Sequence, residues 1–265
     1  MLEPGDRFDQ EYQVTRLLGS GGIHDVYLAE DGNQKPVALK ILKPKYRTSK
    51  TLINALKAEH EILQRLSHPA TVRSYQIKQS EEGVFLVLEY VPGKSLKELI
   101  RQHHSVGLPL QLVKPMIKTL ASALSEMHEM DWVHGDIKPA HVIVDDDGMR
   151  AKWIDFGVAC QDSTNPETES KPVFAITPHY VSPERYRREQ SCVSDDVFAF
   201  ALMVYEVISG VPAFGKLAPF QACNANVKPK RLRVLDGAQW RLLEHALNTR
   251  RSQRLKSIRE LAAGF

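Results

Sequence analysis

The spacing of apolar residues changes character once along this 265-residue chain, and that change limits the folds open to it. Up to about residue 91 the apolar stretches are short and bounded by turn residues, as strands are. Residues 12–18 lead into Gly19-Ser20-Gly21-Gly22, and residues 25–29 return from it as the second arm of a hairpin. Residues 36–42 read as a third strand. Residues 84–88 are a short continuous apolar strand that ends at Glu89-Tyr90-Val91-Pro92-Gly93. One helix interrupts them over 51–66, where Leu52, Ala55, Leu56, Ile62, Leu63 and Leu66 fall at mostly helical spacing. Beyond Gly93 the reading is helical, over 95–102, 112–129, 196–209, 239–247 and 257–263, with short strands at 142–144 and 152–154.

Bulk properties bound the rest. A chain of this length supports one large domain or two small lobes with ample core. It is 43% hydrophobic and 25% charged, ordinary for a soluble globular protein. A net charge of +3 is too small to imply nucleic acid, and none is expected as a partner. The stretch 228–259 is locally basic, with ten Lys and Arg against Asp236 and Glu244, and reads as a solvated face. Cys160, Cys192 and Cys223 are far apart and show no zinc spacing, which fits a reducing cytoplasm. No basic-then-apolar leader opens the chain, and the longest apolar run, 197–205, is too short to span a membrane.

Several residues are of types that need a chemical reason. Glycines at 19, 21 and 22 allow backbone N–H groups to approach phosphate oxygens without a side chain intervening. Lys40 lies mid-strand in an apolar segment, where an unpaired ammonium would be costly. His134-Gly135-Asp136-Ile137-Lys138-Pro139 is followed, nineteen residues after Asp136, by Asp155-Phe156-Gly157.

In this order the motifs resemble those of the eukaryotic-type (Hanks-type) serine/threonine protein kinase family, in the style of its bacterial members. Val37-Ala38-Leu39-Lys40, Thr177-Pro178, Ser182-Pro183-Glu184, Asp196 and Arg254 extend the resemblance over nearly the whole chain. It implies an α+β, bilobal protein-kinase-like fold: one kinase domain over 1–265, with a small antiparallel-sheet N-lobe (about 1–91) and a larger helical C-lobe (about 92–265). It also implies transfer of the ATP γ-phosphate to serine or threonine of a protein substrate.

The resemblance distributes roles as follows. Gly19, Ser20, Gly21 and Gly22 would meet the phosphates, with Val26 and Ala38 against the adenine. Leu88 would guard the back of the adenine pocket, the backbone of Glu89 and Val91 would hydrogen-bond the base, and Ile143 would lie under it. Lys40 would hold the α- and β-phosphates and pair with a helix glutamate, for which Glu59 aligns better than Glu61. Asp136 would be the catalytic base, Lys138 would neutralise the transferring phosphoryl, and Asp155 would bind Mg²⁺. Glu184 with Arg254, and Asp196, would be structural. Ser163, Thr164, Thr168, Ser170 and Thr177 would lie on an activation segment open to phosphorylation.

Three positions depart from the pattern. His24 replaces the third glycine of the turn. Gly135 replaces the arginine that commonly precedes the base, so a phosphate on the activation segment would lack its usual partner. His141 stands where the family has a metal-binding asparagine, and imidazole suits Mn²⁺ better than Mg²⁺. Two other functions stay in view. One is a pseudokinase serving as a nucleotide-binding scaffold; the other is a small-molecule kinase, against which Ser182-Pro183-Glu184 argues.

Overall fold

The computed structural model describes residues 2–103, 106–148, 150–162 and 177–265. The chain divides into two compact units, Met1–Ser67 with Thr71–Val91, and His68–Ala70 with Pro92–Phe265.

The first unit is an antiparallel sheet with one helix. Its strands are β1 (Arg7–Phe8), β2 (Tyr12–Ser20), β3 (His24–Glu30), β4 (Pro36–Leu42), β5 (Ser74–Ser80) and β6 (Gly83–Glu89), and α1 (Lys50–Arg65) follows β4. Their order in the sheet is β1-β2-β3-β4-β6-β5. Strand side chains alternate between faces, and cross-strand partners share a face. Val37, Leu39 and Ile41 of β4 therefore lie on one face with their partners Tyr27, Ala29, Phe85 and Val87. With Phe8, Tyr12 and Val14 they form a buried core, in which Phe8 meets Phe85 edge-on at 4.9 Å. The opposite face carries Val26, Ala38, Lys40 and Leu88, because Lys40 pairs with Val26 and Ala38 pairs with Leu88.

Helix α1 packs on β5 and β6. Its buried residues include Leu52, Leu56, Glu59 and Leu63, one stripe spaced by four, three and four. Glu59 thus occupies a core position of an otherwise apolar stripe, while Glu61 falls off it and is exposed. Strand β5 is a departure from the sequence reading, which had no strand there. Ser74, Gln76, Lys78 and Ser80 give it little apolar signal, and it forms by pairing along β6 at the sheet edge.

The second unit is mainly helical. It contains β7 (Lys94–Ser95), α2 (Leu96–Gln102), α3 (Leu110–Glu129), β8 (Trp132–Val133), β9 (Val142–Val144), β10 (Ala151–Trp153) and β11 (Cys160–Gln161). After the undescribed residues come α4 (Pro183–Tyr186), α5 (Val193–Ser209), α6 (Pro219–Asn224), α7 (Gly237–Ala246) and α8 (Ile258–Ala262). Helix α5 is buried on nearly every side and packs against α2, α3, α7 and α8. It begins three residues before the start read from the sequence, since polar Ser194 and Asp195 hide the first turn. The Asp195 carboxylate explains them by accepting the Cys192 N–H at 3.0 Å and the Ser182 hydroxyl at 2.7 Å. At the other end Gly210, at φ +75°, closes the helix in the left-handed region. Trp153 is fully buried and donates its indole N–H to the Leu120 carbonyl at 3.1 Å, tying β10 to α3. Among the described residues no helix is long and apolar enough to cross a membrane.

Candidate active site

In the sheet unit, the residues singled out by sequence gather on one face and at one hairpin. Lys40 is 5% exposed and Glu59 is 1% exposed, and the Lys40 ammonium lies 2.7 Å from both Glu59 carboxylate oxygens. The buried ammonium thereby has a carboxylate to balance it, as a charge removed from water requires. Val26, Ala38 and Leu88 share this face, with Val26 half-buried and the other two buried. Glu89 ends β6, donating its N–H to the Arg73 carbonyl at 2.8 Å, and Val91 is the last residue of the unit.

The hairpin joining β2 and β3 holds Gly19, Ser20, Gly21 and Gly22, all exposed. Neither Gly19 nor Gly22 has any atom within 4 Å of where a Cβ would stand, and at Gly21 the nearest is at an ordinary 3.5 Å. None of the three has a positive φ. The fold of this unit therefore does not demand glycine here. Bare backbone open to a ligand does explain three glycines in four residues. Ser20 is placed differently from its neighbours, with its hydroxyl donating to Asp25 at 2.6 Å. His24 is half-buried within β3.

In the helical unit, Asp196 of α5 suspends the loop that bears Asp136. Its carboxylate accepts the N–H groups of His134 at 2.7 Å and Gly135 at 2.9 Å, and lies 2.9 Å from His128 Nε2. Burial pushes the Asp196 pKa up, but His128 and these N–H groups outweigh it and hold the acid below its ordinary value. His128, on α3, was not singled out by sequence; its partner lies 68 residues away, and no local pattern marks it. Gly135 adopts φ +78°, and a Cβ there would meet the Val158 carbonyl at 3.3 Å. The glycine in place of arginine thus relieves a strained backbone. His134 is fully buried between Trp153 and Phe156, and burial holds its pKa down, so the ring stays neutral.

Asp136 is held at both oxygens. Lys138 donates to Oδ2 at 2.6 Å, and the Thr177 hydroxyl donates to Oδ1 at 3.0 Å. Lys138 also donates to the Thr177 hydroxyl at 3.0 Å, which closes a ring of three side chains. Thr177 was expected as a phosphorylation candidate, but its hydroxyl is engaged in this ring. Ser163, Thr164, Thr168 and Ser170 lie outside the described residues.

His141 bridges the two aspartates. Its Nδ1 is 3.1 Å from the Asp136 carbonyl oxygen, and its Nε2 is 3.2 Å from Asp155 Oδ2. A carbonyl only accepts, so Nδ1 carries a proton; Nε2 donates to the Asp155 carboxylate when protonated and offers its lone pair to a cation when not. Asp155 Oδ1 accepts the Gly157 N–H at 3.1 Å. Among the described residues no group of three His, Cys, Asp or Glu side chains is arranged as a metal centre. A cation here would take two ligands from the protein and the rest from phosphate and water, a usual arrangement for Mg²⁺. The 3.2 Å separation of Nε2 and Oδ2 is close to the ~3 Å between adjacent ligands of an octahedral ion. The donor set, one carboxylate and one imidazole, therefore fits a divalent cation. Ile143, in the middle of its small sheet, is half-buried between the buried Val142 and Val144. Beyond the site, Arg254 is 4% exposed and donates to Glu184.

The protein kinase domain family model matches residues 12–262. The chain belongs to this family. It is 32% identical over 216 residues to the serine/threonine-protein kinase PrkC of Bacillus subtilis, an alignment covering 81% of this chain and 33% of that one. To the serine/threonine-protein kinase PknL of Mycobacterium tuberculosis it is 30% identical over 249 residues, covering 89% and 61%. The chain thus spans between one third and three fifths of these curated relatives. Among solved structures, the M. tuberculosis PknI kinase domain is similar with a TM-score of 0.75 at 24% identity, covering 99% of this chain and 97% of that one. The antiparallel-sheet unit and the helical unit are accordingly those of the bilobal α+β kinase fold, whose members use ATP and a divalent metal.

Proposed function

We propose that this chain is an ATP-dependent serine/threonine protein kinase, with residues 1–265 as one kinase domain. The observation that carries the reading is the ring of Asp136, Lys138 and Thr177. A carboxylate fixed at both oxygens in a half-buried setting is poised to orient an acceptor hydroxyl. Asp136 takes the acceptor proton as the hydroxyl oxygen bonds to the γ-phosphorus. The bond from that phosphorus to the bridging oxygen breaks, and ADP leaves with the electron pair. Lys138 offsets charge on the transferring group. Lys40, held upright by Glu59, binds the α- and β-phosphates, and the open backbone of Gly19, Gly21 and Gly22 meets phosphate oxygens. Val26, Ala38 and Ile143 contact the base, whose polar edge is met by the backbone of Glu89 and Val91. Asp155 and His141 hold the divalent cation, which when bound neutralises phosphate charge. The imidazole favours Mn²⁺ over Mg²⁺ at this position.

A lysine two residues after the base, and a threonine closing the ring on it, favour serine and threonine as acceptors. The curated relatives carry serine/threonine kinase names, which supports transfer over a pseudokinase role. We place the reaction in the cytoplasm, where ATP is supplied and where Cys160, Cys192 and Cys223 stay as thiols. Incubation with labelled ATP and either Mg²⁺ or Mn²⁺, followed by phosphoamino-acid analysis, tests the reading. Phosphoserine or phosphothreonine is expected, and Lys40→Met should remove most of it. Label on tyrosine alone would overturn the branch, and ATP binding without transfer under either metal would overturn the enzyme.

A further inference from the structure

The tip of the β2–β3 hairpin is glycine-rich, yet it is tied down from two sides. The Gly21 N–H donates to the His24 carbonyl at 2.9 Å, which closes a turn around Gly22 and Ile23. The Ile23 carbonyl accepts the backbone N–H of Lys43, also at 2.9 Å. Just below the tip Ser20 and Asp25 face each other across the strands. The Ser20 hydroxyl donates to Asp25 Oδ1 at 2.6 Å, and the Lys43 ammonium lies 3.6 Å from the same oxygen.

Asp25 is 8% exposed, so its carboxylate has given up most of its water. An anion beside a phosphate-binding turn would repel a nucleotide, and its presence asks for a reason. Here its charge is offset by a lysine and engaged by a hydroxyl, both aimed at one oxygen. Lys43 directly follows β4, three residues beyond Lys40. It grips the tip through its backbone and the base of the turn through its side chain. The network therefore links the glycine turn to the strand that carries Lys40, entirely within the sheet unit.

We propose that Asp25 is a positioning residue for ATP: with Ser20 and Lys43 it fixes the glycine turn relative to Lys40. The inference rests on the kinase reading given above. In it the Ser20 hydroxyl is committed to Asp25, so Ser20 meets the nucleotide through its backbone alone. A turn held at a set distance from Lys40 binds the triphosphate without first having to be ordered, which favours affinity over turnover.

The test is steady-state transfer by the whole chain with ATP varied at saturating acceptor. Asp25→Ala should raise KM for ATP about five- to tenfold, the scale of one lost hydrogen bond. The kcat should stay within about twofold, as expected for lost ground-state binding. Asp25→Glu, which keeps the charge, should recover most of the affinity. Ser20→Ala combined with Asp25→Ala should be no worse than Asp25→Ala alone, since both remove one bond. In the nucleotide-free protein, Asp25→Ala should also speed amide exchange at Gly21. A parental KM in Asp25→Ala, an additive double variant, or lowered stability with unchanged KM would each overturn the proposal. Should the parent transfer no phosphate, the kinase reading fails. The exchange measurement still decides the proposal, because unchanged exchange at Gly21 would overturn it too.

Discussion

Each unit of the molecule holds a lysine against a carboxylate at nearly the same distance, and the two pairs serve different ends. In the sheet unit the Lys40–Glu59 contact is 2.7 Å, with side chains 6% and 0% exposed. In the helical unit the Lys138–Asp136 contact is 2.6 Å, with side chains 18% and 11% exposed. Distance does not separate them; surroundings do. Glu59 sits on the buried stripe of α1, so removing it takes a carboxylate away from an ammonium that has left water. Asp136 is less deeply buried, and its lysine also donates to Thr177. Its value lies in where it holds two carboxylate oxygens. One pair belongs to the fold as much as to the site, and the other belongs to the chemistry.

The largest effects test this division directly. Asp136→Asn should lower transfer by about 10²–10⁴-fold, the usual contribution of a positioned base, while the melting temperature stays within a few degrees. Glu59→Ala should lose transfer as well, but with about 3–5 kcal/mol of stability, because it breaks a buried ion pair by removing one partner. Thermal and denaturant unfolding beside the transfer assay would decide. If Asp136→Asn unfolds as readily as Glu59→Ala, the contrast drawn here collapses.

His141 sharpens the comparison within the helical unit, since it touches the Asp136 loop and Asp155 at once. His141→Asn should raise Mg²⁺-supported transfer relative to Mn²⁺-supported transfer by severalfold, as an amide oxygen replaces an imidazole. Rates under each metal, with Mn²⁺ affinity measured separately, would show it. A fall under both metals would mean that the bridge from the Asp136 carbonyl to Asp155 matters more than the choice of metal.

The two units should also differ in their response to pH. Burial raises the Glu184 pKa, but Arg254 beside it outweighs this and holds the acid below its ordinary 4.5. Asp196 behaves likewise, below 3.8. A depressed acid stabilises the fold above its unfolded-state value and loses that contribution as pH falls through its folded-state value. The helical unit should therefore weaken as pH drops below about 4.5. In the sheet unit the notable group is Lys78: burial opposes its charge, but Asp9 and Glu11 outweigh it and hold the pKa above 10.5. Its contribution is present at neutral pH and is lost on the alkaline side as pH rises beyond 10.5. Melting curves in acid should show a steep fall for the parent and a shallower one for Glu184→Gln, which starts from lower stability. Equal slopes would remove Glu184 from the account.

The site was more legible in the sequence than the devices that hold it. Asp136, Asp155 and Lys40 announce themselves because charged residues in apolar or motif settings need a chemical reason. Glu59 could be preferred over Glu61 because only Glu59 continues the stripe of Leu52, Leu56 and Leu63. His128 could not be read, since its link to Asp196 joins two helices and depends on their packing. The same holds for Asp25 and Lys43, which look like ordinary surface charges until the hairpin register sets Ser20 opposite Asp25. Strand β5 was hidden because its stability comes from pairing with β6 rather than from its own apolar residues. The departure at Gly135 was visible, but its backbone reason, a left-handed φ against the Val158 carbonyl, was not.

That glycine also sets the smallest expected effect. In kinases with an arginine before the catalytic base, a phosphate on the activation segment has a cation to order it. Here Gly135 offers no side chain, and its N–H is already donated to Asp196. The loop bearing Asp136 is instead hung on Asp196, and the Asp136 carboxylate is oriented by Lys138 and Thr177, none of which calls for a phosphate. Thr164→Ala, Thr168→Ala and Ser170→Ala together should therefore leave transfer to an added substrate within a few-fold of the parent. The comparison is best made on protein first treated with phosphatase, so that both start from the same state. A collapse of activity in the triple variant, restored by acidic residues at the same positions, would show that another cation has taken over. Arg185, Arg187 and Arg188, which follow the segment in sequence, would then be the first to replace.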